Sequence, residues 1–98
     1  EFEFGGVRLD FRTYQASKAG TTLELTPREF RILRYFIDHA HEVVSREALL
    51  NHVWGYDSSA FTRTVDTHMA RLRQKVESVP AEPRHLITVH RVGYKFVP

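Results

Sequence analysis

The stretch from Thr62 to Val76, TRTVDTHMARLRQKV, sets the tightest limit on the fold. Wound as a helix, it places Val65, Met69, Leu72 and Val76 at i, i+4, i+7 and i+11, one narrow apolar stripe. At about 100° per residue, Arg63, Thr67, Ala70, Arg71 and Gln74 fall on the opposite side, and none of them is acidic. Asp66 and Arg73 share one flank; Thr64, His68 and Lys75 share the other. Such a rod needs a body to cover its greasy edge and leaves the far edge for water or a partner. The major groove of DNA admits one helix, and Arg and Gln can each make paired hydrogen bonds to base edges. An ordinary amphipathic helix with a solvated basic face has the same pattern, so the rest of the chain must decide.

Ninety-eight residues, 42% of them hydrophobic, suffice for one small domain with one core. Cysteine is absent, which excludes disulfides and thiolate metal sites. No apolar run approaches the roughly 20 residues that span a bilayer, and no signal-peptide pattern opens the chain. EFEFGG alternates like a strand from the first residue, as expected of a piece of a longer protein. Net charge is only +2, but it is uneven. Residues 1–54 carry seven Lys/Arg against eight Asp/Glu, whereas residues 55–98 carry seven against four. The basic excess therefore lies in the half that holds the helix, as a polyanion-binding surface requires.

Residues 1–25 read as short antiparallel strands. Phe2 and Phe4, then Val7, Leu9 and Phe11, then Leu23 and Leu25 alternate with polar residues, and Gly5-Gly6 and Ala19-Gly20 mark turns. Thr26-Pro27-Arg28-Glu29 is a helix start, with Thr26 as N-cap, Pro27 at N1 and Glu29 completing a capping box. Phe30, Leu33, Ile37 and Ala40 form that helix's buried stripe, widened by Ile32 and Phe36, and its end is expected near His39. Val43-Val44 reads as an apolar link. Ser45 then caps a helix from about Arg46 to Trp54, stopped by Gly55. The loop Gly55–Phe61 is long for a minimal helix-turn-helix, and Phe61 is expected to anchor it to the core. After the Thr62–Val76 helix, Pro80 and Pro83 lead to alternating runs around Ile87, Val89, Val92, Tyr94 and Phe96, with His90-Arg91 at the tip of a hairpin. A basic hairpin beside a basic helix suits adjacent grooves, because a narrow minor groove concentrates negative potential that Arg reads.

Four segments carry a family likeness: LTPREFRIL at Leu25–Leu33, VVSREALLNHVWG at Val43–Gly55, RTVDTHMARLRQKVE at Arg63–Glu77 and ITVHRVGYKFV at Ile87–Val97. Together they resemble the OmpR/PhoB family of response-regulator effector domains over essentially the whole chain. The resemblance implies an α+β fold, a winged helix-turn-helix with an N-terminal antiparallel four-stranded sheet, three helices and a C-terminal β-hairpin wing. The expected division is one DNA-binding domain, 1–98, with the sheet at 1–25, a helical core at 26–78 and the wing at 86–97. It further implies head-to-tail pairs on tandem direct repeats of double-stranded DNA, a receiver domain elsewhere in the intact chain, a cognate sensor kinase and a cytoplasmic place of work.

Roles carry over position by position. Arg63, Thr67, His68, Ala70, Arg71 and Arg73 occupy positions that face DNA. Arg71 resembles the base-reading arginine, and Arg63, His68 and Arg73 resemble phosphate contacts. Trp54 matches an indole whose N–H reaches a phosphate while its ring packs inward. Thr88 and Tyr94 match contacts at the base of the wing. Thr64, Gln74, Lys75, His90 and Arg91 complete the candidate DNA-binding set. The loop Gly55, Tyr56, Asp57, Ser58, Ser59, Ala60 and Phe61 matches the segment that family members present to RNA polymerase. This chain departs from the family pattern at Ala70, often basic elsewhere, and at His90-Arg91, commonly Arg-Gly. Arg91 must then accept a backbone angle that Gly usually allows, at about 1 kcal/mol if φ is positive.

Enzymatic chemistry finds no footing: there is no Gly-rich phosphate loop, no GxSxG and no carboxylate pair with a pocket. Asp66 is expected beside Arg73 or near its helix N-terminus. Histidines 39, 41 and 52 lack the cysteines or the His-Glu-x-x-His spacing of a metal site, so no metal or other cofactor is expected. The alternative function is a winged-helix protein–protein interaction module with little intrinsic DNA affinity. A basic helix face and a basic wing favour DNA over that alternative.

Overall fold

The computed structural model describes residues 1–55 and 61–98. Strands β1 (Phe2–Phe4), β2 (Val7–Asp10), β3 (Gln15–Lys18) and β4 (Thr21–Thr22) form an antiparallel sheet in that order. Alternation sets its two faces: Phe4, Val7, Leu9 and Ala16 are buried, while Glu3 and Arg8, paired across β1 and β2, form an exposed ion pair. Helix α1 (Pro27–Asp38) begins at the capping box expected for it. Thr26 Oγ1 accepts from the Glu29 N–H at 3.1 Å, and the Thr26 N–H donates to Glu29 Oε1 at 2.8 Å. Its inward stripe is Phe30, Ile32, Leu33 and Phe36, with Ile37 and Ala40 half-buried.

Helix α2 (Arg46–Leu49) starts at Ser45, whose hydroxyl accepts from the Ala48 N–H, and its last turn, Leu50–Trp54, is wound as a π-helix. The Gly55 N–H reaches back to the Leu50 carbonyl to close it. Helix α3 spans Thr62–Val76, and its four stripe residues are all buried against α1, α2 and the second sheet. That sheet contains β6 (Leu86–Val89) and β7 (Gly93–Phe96), the expected wing, together with a third strand, β5 (Val43–Ser45). The order β5-β7-β6 puts the return strand of the wing in the middle. The whole is a winged helix-turn-helix. Among the described residues, no helix is long and apolar enough to cross a membrane.

Several local expectations are corrected. Val43-Val44 is not a mere link: Val44 pairs with Tyr94 and Val43 with Lys95. The strand expected around Leu23 and Leu25 is limited to Thr21–Thr22, and the polar run Gln15–Lys18 is a strand instead. Phe61 does not anchor its loop; it is 76% exposed just ahead of α3. Gly93 explains why β5 and β7 lie so close. A Cβ there would sit 2.0 Å from the Val44 carbonyl oxygen and 2.9 Å from Ser45 Cα.

The link from α3 to β6 is organised by Glu77. Its buried carboxylate accepts from the backbone N–H groups of Arg84, His85 and Leu86 at 2.8, 3.0 and 2.8 Å. Burial alone would push its pKa up, but the three N–H donors outweigh it and hold the carboxyl below the usual range.

Candidate nucleic-acid interface

The exposed edge of α3 consists of Arg63, Thr67, Ala70, Arg71 and Gln74. Every residue between them that lies on the stripe is buried, and every residue on a flank is half-buried. Among the described residues, neither Arg63 nor Arg71 has an ion-pair partner. The Thr67 hydroxyl donates to the Arg63 carbonyl at 3.1 Å, which leaves its oxygen able to accept. The helix therefore presents two guanidinium groups, one amide, one hydroxyl and one methyl, with no acid among them.

One flank is tied to the wing. Of the two places expected for Asp66, beside Arg73 or near its helix N-terminus, it takes the second and does not pair with Arg73. Its Oδ2 takes a hydrogen bond from Arg46 at 2.6 Å, and its Oδ1 takes one from the Tyr94 hydroxyl at 2.6 Å. Arg73 instead donates from Nε to the Leu86 carbonyl at 2.9 Å and from its terminal nitrogen to Thr88 Oγ1 at 2.7 Å, with its guanidinium 5.4 Å from the Tyr94 ring centre. Burial, then the hydrogen bond to Asp66, pushes the Tyr94 phenol up to about 12. Arg73, Thr88 and Tyr94 thus bond to one another's elements and fasten the wing to α3.

The other flank is tied to α1. The Lys75 ammonium lies 2.7 Å from Glu29 Oε1, and Glu29 is only 3% exposed. Glu29 serves two partners at once, its own helix cap and α3. The Glu29 carboxylate balances the charge of Lys75 there. His68 donates from Nδ1 to the Thr64 carbonyl at 2.9 Å and presents its edge to the Trp54 ring, centres 5.1 Å apart. Thr64 Oγ1 accepts from the Phe61 N–H at 3.3 Å, capping the start of α3. Trp54 is half-buried against the core, as expected, and the Arg28 guanidinium lies over its ring.

The wing tip brings His90 and Arg91 together on the surface, and Val92 beside them is 54% exposed. Arg91 has φ +67°, the left-handed angle expected from the position it occupies. A cleft of about 340 Å³ between the wing and α2 is lined by Arg46, Asp66, His90, Arg91 and Tyr94. Of the candidate loop, Gly55 and Phe61 are exposed; Tyr56, Asp57, Ser58, Ser59 and Ala60 lie outside the described residues. Three residues were missed from sequence: Arg46, Glu29 as the partner of Lys75, and Arg28. Each acts through a contact distant in sequence, which no local pattern signals.

Residues 20–96 match the family model described as transcriptional regulatory protein, C terminal. Sensory transduction protein RegX3 of Mycobacterium tuberculosis is 42% identical over 93 residues, 95% of this chain and 41% of that protein. The chain thus spans about two-fifths of the length of the curated relatives it matches. The DNA-binding domain of Klebsiella pneumoniae RstA, solved in complex with the RstA box, superposes with a TM-score of 0.85 at 31% identity, covering 99% of this chain and 96% of that one. Response regulator DrrB, a Thermotoga maritima OmpR/PhoB homolog, superposes at 0.89 with 32% identity, over 99% of this chain and 44% of that one.

Proposed function

The chain belongs to the family of transcriptional regulatory protein C-terminal domains, and on that premise we propose that it binds double-stranded DNA sequence-specifically at promoters, as the output domain of a two-component response regulator. The observation that carries this is the outer edge of α3: Arg63, Thr67, Ala70, Arg71 and Gln74 are exposed together, with a basic wing tip beside them. The helix enters the major groove. Arg71 and Gln74 read base edges, Ala70 admits a thymine methyl, and Arg63 holds a phosphate. Trp54 and His68 serve the backbone on one side of the groove, and His90 with Arg91 serves the minor groove on the other. Arg73, Thr88 and Tyr94 hold the wing at its angle to α3.

Residues 1–98 act as one unit, with the sheet at 1–25, the helical part at 26–78 and the wing at 86–97. Modest net charge favours two copies head-to-tail on direct repeats. The relatives' greater length supports a receiver domain in the intact protein and a sensor kinase that phosphorylates it, all in the cytoplasm. Exposed Phe61 supports the Gly55–Phe61 loop as the contact with RNA polymerase.

The test is affinity for selected and random duplexes across a salt series. Several engaged phosphates give a steep negative slope. Arg71→Ala should lose about 1–3 kcal/mol of discrimination between the two duplexes. A flat salt response would refute the reading and favour a protein partner.

A further inference from the structure

We infer that Arg28, in the first turn of α1, is a DNA-phosphate contact held in place by Trp54, on the side of α3 opposite the wing. The inference rests on the DNA-binding reading and extends it to a helix with no assigned part in it. The major groove is bordered by two sugar–phosphate backbones about 12 Å apart. When the outer edge of α3 lies in the groove, its two flanks look toward those two backbones. The wing closes one flank. The other carries Thr64, His68 and Lys75, and it has little free charge to offer. Lys75 is neutralised by Glu29, and His68 has spent one ring nitrogen on the Thr64 carbonyl.

Arg28 supplies the missing cation. Its guanidinium carbon lies 5.0 Å from the Trp54 ring centre, and the Trp54 ring in turn meets His68 of α3. Among the described residues it pairs with no carboxylate and donates to no acceptor, and its Nε is enclosed without a partner. The indole face thus confines the guanidinium, with Nε enclosed and the terminal nitrogens left unspent. A planar fork held this way is suited to phosphate oxygens. The neighbouring Glu29–Lys75 bond pins the start of α1 to α3 independently, so Arg28 keeps its place relative to the recognition helix.

The experiment compares wild type, Arg28→Gln and Arg28→Lys for affinity against salt, on selected and random duplexes, with urea midpoints measured alongside. Gln keeps a planar group on the indole and loses the charge. One lost phosphate contact lowers the magnitude of the log–log salt slope by about 0.9. Arg28→Gln should show that drop and bind several-fold more weakly on both duplexes alike, with its urea midpoint kept; Arg28→Lys should keep most of the wild-type slope. A wild-type slope in Arg28→Gln overturns the inference. So does an Arg28→Lys slope that falls as far as that of Arg28→Gln, because charge is then not what was lost. Wild type that binds neither duplex with salt dependence would instead overturn the DNA-binding reading itself, a separate outcome.

Discussion

Replacing Tyr94 by Phe isolates one hydrogen bond between the wing and the recognition helix. The ring stays, so its packing and its place under the Arg73 guanidinium are retained. What goes is the 2.6 Å bond to Asp66. A hydrogen bond to a charged acceptor contributes about 1.5–3 kcal/mol, and Asp66, whose side chain is 40% exposed, recovers part of that from water and from Arg46. The expected loss at neutral pH is therefore about 1–2 kcal/mol, or roughly 5–15 °C in Tm for a domain of this size. Alkali supplies the sharper check. The phenol ionises at about 12 in the folded chain, against an ordinary value of 10.0. A raised pKa means that the folded state holds the proton more tightly. The stabilisation is complete below pH 10.0 and drains away as pH climbs through the folded value of about 12. Wild type and Tyr94→Phe should differ at pH 7 and converge above about pH 10 as the phenol ionises. The other tyrosines are common to both proteins and cancel. Urea midpoints for the pair from neutral to alkaline pH measure it. A gap that persists undiminished to the alkaline limit, or no gap at pH 7, refutes the reasoning.

Two further tests probe the scaffold. Glu77 has a depressed folded pKa, so its contribution is present above about 4.5 and lost as pH falls; Glu77→Gln should destabilise at pH 7 and flatten the acid limb of the stability profile, read by urea midpoint against pH. Arg91→Gly relieves the φ of +67° and should stabilise the isolated domain by up to about 1 kcal/mol, yet weaken DNA binding through the lost cation; a fall in thermal stability would contradict the strain argument.

What the sequence made legible was what depends on neighbours in the chain. The capping box of α1 and the stripe of α3 are local patterns, and both appear where they were expected. β3 and β5 were not legible. Gln15–Lys18 has little apolar alternation, and Val43–Ser45 is too short to show any; each is a strand because a partner strand offers the hydrogen bonds. The same limit governs the interface. Periodicity gives the direction in which Cβ leaves a helix, which sufficed for the five outward residues. It does not say where a long flank side chain ends. Lys75, Arg73 and Asp66 stand on the flanks where the wheel puts them, but Glu29, Thr88 and Arg46 claim their tips. Resemblance did not help there either, because it transfers a position and not the partner beside it.

The third strand under the wing bears on the kinetics of recognition. A free two-stranded ribbon would flap and would have to be stilled on arrival, an entropic toll paid at the moment of association. Here β5 is continuous with α2 and is laced to β7, so the tip that bears Arg91 rides with the core. Encounter should then demand little rearrangement, and differences among target sites should appear mainly in how long the complex lasts rather than in how fast it forms.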